Sequence, residues 1–254
     1  MNRLKLFIAA LMCAASFVWA DDYNLYSVKA QRAFQQQEWA SASAMYGILL
    51  DMQPSNSTTY GYAITTAAMR HDTLSQLQLM NQAIAHHVPF DSTFAAVKQV
   101  SLALANDTIY ENFMLLVQRN NDWLNRAINP YLLDYYVFRN NAPAIIHYSR
   151  LMLEGLPNSV KYLTTLADAL MFDGQTTEAI ETYNRIVQLN PDNYHALIAL
   201  GNHYALITTD AEMQPDITSE ARQQALKHLK QAYALRPTPN VSRLIKQLLE
   251  NTTH

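Results

Sequence analysis

Few residues in this chain are equipped for chemistry, and their spacing argues against most reactions. The single cysteine, Cys13, lies in an apolar run near the N-terminus. Of the histidines, His86 and His87 are adjacent; as helix neighbours they would point about 100° apart and chelate poorly. His195 and His203 are eight residues apart, too far for a shared metal ion. GxSxG, HExxH, GxxxxGK[ST] and GxGxxG are all missing, and a chain with 5 glycines has little material for phosphate-cradling loops. A Ser, His and Asp set assembled only in space has no motif behind it. The expectation is a non-catalytic chain with no cofactor and no metal site.

The first twenty residues, "MNRLKLFIAALMCAASFVWA", combine a basic start (Arg3, Lys5), an apolar run from Leu6 to Phe17 and a small-residue pattern ending at Ala20. That is the build of a secretory signal peptide cleaved after Ala20, with an apolar run too short to span a membrane comfortably. An uncleaved anchor is the other reading. Lipoprotein processing at Cys13 is rejected, because Leu11-Met12 precedes it where a small residue is needed. Cleavage removes the only cysteine, so the mature chain forms no intramolecular disulfide and carries no thiol nucleophile. It also removes Arg3 and Lys5, taking the formal charge from −3 to −5. Such a balance suits neither nucleic acid nor a polyanion, and no polybasic run points to a membrane surface. Charged residues make up 15% of the chain, against about 25% in an average domain. The expected location is the bacterial periplasm.

Any functional surface must therefore be built by the elements that present it, and these repeat. Residues 160–193 read "VKYLTTLADALMFDGQTTEAIETYNRIVQLNPDN". Leu163, Leu166, Ala167 and Leu170 follow the spacing of an amphipathic helix. Gly174 supplies a helix end where positive φ is cheap, and Thr176 or Thr177 can cap a second helix with Ala179, Tyr183 and Ile186 inward. Asn190-Pro191 closes that helix. One such hairpin cannot bury its outer apolar faces alone and must stack on neighbours. The unit resembles the tetratricopeptide repeat, matching it at Leu163, Leu166, Ala167, Ala179, Tyr183 and Pro191.

Residues 23–56 repeat the pattern with Tyr26, Ala30, Ala33, Ala42, Tyr46 and Pro54, with "QEW" in place of "GQT" at the turn. Residues 194–239 repeat it with Leu197, Leu200, Gly201 and Tyr204, then Ala225, Leu229, Ala232 and Pro237. Residues 57–158 hold three degenerate copies, one of them split near Asn106-Asp107. The expected fold is all-α: an α-solenoid of about six stacked antiparallel hairpins over 21–250, with a polar-faced capping helix and tail in 240–254. The last copy is irregular. Leu170 to Ala179 and Ala33 to Ala42 span nine residues, whereas Tyr204 to Ala225 spans twenty-one. The twelve additional residues, about Thr209 to Glu220, include Asp210, Glu212 and Asp216. Pro215 interrupts any continuous helix there, and Thr218 or Ser219 can cap the restart. The insertion is either an acidic lip beside a binding groove or a neutral lengthening of a tolerant loop.

The resemblance implies binding of a partner protein or extended peptide along a concave face of first helices. By position it nominates Gln31, Phe34 and Gln35, then Tyr136, then Lys161, Thr164, Asp168 and Phe172, then His195, Ile198 and Asn202. Aromatics among amides suit stacking and hydrogen bonding to an extended ligand. A glycan or small ligand held by the same aromatics is the alternative. Clamping of a partner's C-terminal carboxylates, frequent in the family, is not expected, because Ser27 and Gln31 hold the places of its Lys and Asn.

Overall fold

The computed structural model describes residues 21–209 and 215–250. The signal-peptide reading of 1–20, and Asp210 and Glu212 of the insertion, fall outside the described residues. Those described form helices joined by short loops, with no strand among them. In order these are α1 (residues 21–35), α2 (Trp39–Met52), α3 (Ser57–Met69), α4 (Thr73–Ala85), α5 (Phe90–Ala103) and α6 (Thr108–Asn120). After a 3₁₀ turn at Asp122–Leu124 come α7 (Asn125–Phe138), α8 (Ala142–Gly155), α9 (Val160–Phe172), α10 (Thr176–Leu189), α11 (Tyr194–Ile207), α12 (Pro215–Leu235) and α13 (Pro239–Glu250). The chain divides into two compact units, Met1–Ile128 and Asn129–His254. None of the described helices is long and apolar enough to cross a membrane.

Two loop chemistries alternate along the chain. Inside the hairpins α1–α2, α3–α4, α5–α6, α7–α8 and α9–α10, one loop residue takes left-handed φ: Gln37, His71, Ala105, Asn140 and Gly174. The same turn joins α4 to α5 at His87. In each, the residue's own N–H and the next one reach back to carbonyls of the departing helix, as when Gly174 donates to Met171 and Gln175 to Leu170. This satisfies carbonyls that the helix end leaves open. Before α3, α9 and α11 the chain instead extends at Gln53, Leu156 and Asn190, each followed by proline. There Asn56 and Asn193 cap the next helix by accepting from the backbone N–H of Thr59 and Ala196.

Three local expectations are corrected. Helix α10 starts at Thr176, and its N-cap is Gln175 with no side-chain cap bond. Helix α12 runs unbroken from Pro215, so neither Thr218 nor Ser219 caps it, and Asp216 lies in its first turn. Proline is tolerated there because the first-turn N–H groups have no helical partner. His87 is a left-handed turn residue after α4, not a helix neighbour of His86.

Within each unit the hairpins stack side by side, the arrangement of an α-solenoid. In the first, α3 packs on α2, α4 and α5, and α6 on α4 and α5. Gly61 of α3 lies so close to α5 that a Cβ there would sit 2.7 Å from the Ala96 Cβ and 2.8 Å from its carbonyl carbon. In the second, each helix from α8 to α13 packs on its successor. Gly201 lets α11 approach α12, where a Cβ would meet Leu229 Cγ at 2.6 Å. The small and large positions of the repeat form the core: Ala30, Ala42, Tyr46, Leu163, Ala167, Ala179, Tyr183, Leu197, Ala225 and Leu229 are all buried.

Candidate functional site

In the second unit the outward face is organised around one carboxylate. Asp168, in the middle of α9, receives a hydrogen bond at Oδ1 from the Tyr183 hydroxyl of α10 at 2.5 Å. His195 Nε2, from the first turn of α11, approaches the same oxygen at 2.6 Å. Asp168 and His195 are both exposed, whereas Tyr183 is a core residue whose hydroxyl reaches the exposed Asp168. Burial raises the Tyr183 pKa, and the hydrogen bond and charge of Asp168 raise it further, so the phenol stays protonated as a donor. The arrangement ties three successive helices together at one point.

One turn beyond Asp168, Phe172 is 79% exposed. The two line a cleft of about 280 Å³ together with Val137, Asn140, Ile145 and Thr165. Its walls are mostly aliphatic, and Asp168 is the only charged group among its lining residues. A neighbouring cleft of about 490 Å³ lies between α11 and α13, where Ile198 and Asn202 face Arg243 and Gln247.

The other nominated residues divide. Lys161 is exposed with its ammonium 5.4 Å above the Tyr162 ring, Thr164 is half-buried, and neither lines the Asp168 cleft. Tyr136, nominated as a groove aromatic, is only 7% exposed and stacks on Tyr148 with ring centroids 5.5 Å apart. In the first unit Gln31 and Gln35 are exposed and line a depression of about 320 Å³ with Gln37 and Tyr62. Phe34 touches that depression but is also just 7% exposed, meeting Trp39, Tyr46 and Tyr62 edge-on. Phe34 and Tyr136 are thus packing residues with little free face. Both corrections have one cause: helical phase sets these rings outward, and rings of an adjacent helix cover them.

Phe138, Leu206 and Asp134, outside the nominated set, join the nominated Asn202 on this face. Phe138 and Leu206 are 63% and 71% exposed, and each stands thirty-four residues from Phe172. One turn before them, Asp134 and Asn202 are exposed at the positions equivalent to Asp168. Stepping by the repeat length from Asp168 and Phe172 finds all four. Among the described residues no group of three or more His, Cys, Asp or Glu could hold a metal ion.

Paired helices stacked on short loops, with small residues at their closest approaches, define a helical-repeat protein. Residues 160–203 match the tetratricopeptide repeat family model, so that stretch, α9 to α11, has the sequence of a tetratricopeptide repeat. No curated protein matches it. Among solved structures, a Bacteroides ovatus protein is similar at 16% identity over 77% of this chain and 97% of that one, with a TM-score of 0.46. The C-terminal part of a Cytophaga hutchinsonii repeat protein matches at 12% identity over 85% and 98%, TM-score 0.42. A Bacteroides fragilis repeat protein matches at 13% identity over 90% and 98%, TM-score 0.39.

Proposed function

We propose that the chain is a non-catalytic interaction module of the bacterial cell envelope, holding a partner protein or extended peptide on the face of its first helices. The observation that carries this reading is the Asp168–Phe172 cleft, where a large aromatic ring stands in solvent beside a fixed carboxylate and aliphatic walls. An exposed ring beside a preformed cleft is what a binding site offers before its partner arrives. The secretory pattern of residues 1–20 supports the envelope location. Of the aromatics nominated as glycan platforms, Phe34, Tyr136 and Phe172, only the last is exposed, which favours the peptide reading.

The test is crosslinking of the full chain in its native envelope, followed by mass spectrometry, with Phe172→Ala and Gln31→Ala as folded variants. Phe34→Ala is unsuitable, because it would open the core of the first unit. Loss of a binding hot spot should lower capture of a specific protein by about tenfold or more in Phe172→Ala. Unchanged capture in that variant, or recovery of polysaccharide without protein, would overturn the proposal.

A further inference from the structure

The second unit carries a ladder that the repeat itself generates. Three first helices, α7, α9 and α11, carry an exposed apolar residue at one register in their last turn: Phe138, Phe172 and Leu206. One turn earlier each bears an exposed polar residue: Asp134, Asp168 and Asn202. Positions four apart lie on the same side of a helix, so each rung pairs a polar head with an apolar one. Two of the three polar heads are carboxylates.

Asp168 shows what such a rung accepts. Tyr183 and His195 both engage Oδ1, and among the described residues Oδ2 has no protein partner. The free oxygen belongs to a group that lines an aliphatic cleft, one turn from the open ring of Phe172. An anionic ligand would meet repulsion there, and a neutral donor could fill Oδ2 but would not match the carboxylate charge. A cationic side chain satisfies both parts of the rung. A guanidinium can donate to the carboxylate oxygen while its plane lies on the phenyl face, and an ammonium does the same with less stacking. The nearby cations are already occupied: Lys161 lies over Tyr162, and Arg139 has its own partner.

We infer that the ladder of the second unit recognises an extended peptide segment carrying Arg or Lys beside apolar residues. The cations pair with Asp168 and Asp134, and the apolar side chains lie on Phe172, Phe138 and Leu206. This deepens the interaction reading above and rests on it.

The probes are labelled peptides Ac-Ser-Leu-X-Ser-Leu-X-Ser-Leu-amide with X as Arg, Gln or Glu, titrated onto the full chain at about 50 mM salt, where screening is modest. The Arg peptide should bind about tenfold more tightly than the Gln peptide, the size of one charge-assisted contact, with the Glu peptide weakest. Asp168→Asn keeps an acceptor for Tyr183 and should bring the Arg peptide close to the Gln level, with Asp134→Asn acting in the same direction. Phe172→Ala should weaken every peptide. Equal binding of Arg and Gln peptides, or an Arg preference that survives both Asp variants, overturns the inference. If Phe172→Ala abolishes binding that never favoured Arg, the interaction reading stands and only the cationic specificity falls. If no peptide binds and the chain instead forms a dimer that Phe172→Ala dissolves, the face is a contact between copies and this inference is wrong. If no peptide binds and envelope capture is also indifferent to Phe172, both readings fall together.

Discussion

The left-handed turns offer a graded measurement. Gly174 sits at φ 80°, and a methyl group added to its Cα would have no heavy atom within 4 Å, so Gly174→Ala changes backbone preference and nothing else. A side-chain-bearing residue in this region costs about 1–2 kcal/mol. Glycine's greater loss of chain entropy on folding returns about 0.5–1 kcal/mol of that. The net cost of Gly174→Ala is therefore about 1 kcal/mol. The reverse change has available sites in the first unit at Gln37, His71 and Ala105, with φ of 59°, 57° and 52°. Each turn closes through its own pair of backbone bonds, so the three gains should add to about 3 kcal/mol. Asn140→Gly should gain least, because Asn tolerates this conformation. Urea denaturation followed by circular dichroism measures these differences, and a unit of this size should shift in Tm by about 3 °C per kcal/mol. A neutral Gly174→Ala, or a destabilising Ala105→Gly, would refute the account of these turns as backbone-limited.

Packing and burial set two further outcomes. Gly61→Ala should cost about 2 kcal/mol or more in denaturation, because its Cβ would press on the backbone of Ala96. Gly47→Ala in α2 meets nothing within 4 Å and should gain up to about 1 kcal/mol from helix propensity. His228, 4% exposed and stacked on Tyr204, has its pKa lowered from 6.5 by burial and then by the charge of Lys227. The unfolded chain therefore takes up this proton first, and stability should fall as pH drops below 6.5 toward the folded-state value. His228→Leu should flatten the Tm profile between pH 7.5 and 5 without abolishing the slope, since His203 is lowered by burial too. An unaltered profile would contradict this assignment.

The helices are legible in the sequence because local signals and the repeat agree. Gly174, Asn190-Pro191 and the small residues Ala167 and Ala179 each have a physical duty that the folded chain performs. The left-handed turns at Gln37 and Ala105 carry no glycine to announce them, and only alignment with Gly174 exposes them. The start of α12 is ambiguous in sequence because Pro215 reads equally as a break or as a first residue, and tertiary packing makes the choice. Asp168, Phe172 and His195 can each be nominated singly, but their convergence spans twenty-seven residues and depends on how α9, α10 and α11 pack. Phe34 and Tyr136 are not surface residues for the same reason: Tyr62 and Tyr148 reach them from other helices.

The thirty-four-residue recurrence of Phe138, Phe172 and Leu206 has a consequence for how this surface can evolve. If this face holds the extended segment proposed above, its reach is quantised. Duplicating or deleting one hairpin changes the footprint by a whole rung, whereas point substitutions retune a rung in place. Length and preference are thereby under separate genetic control.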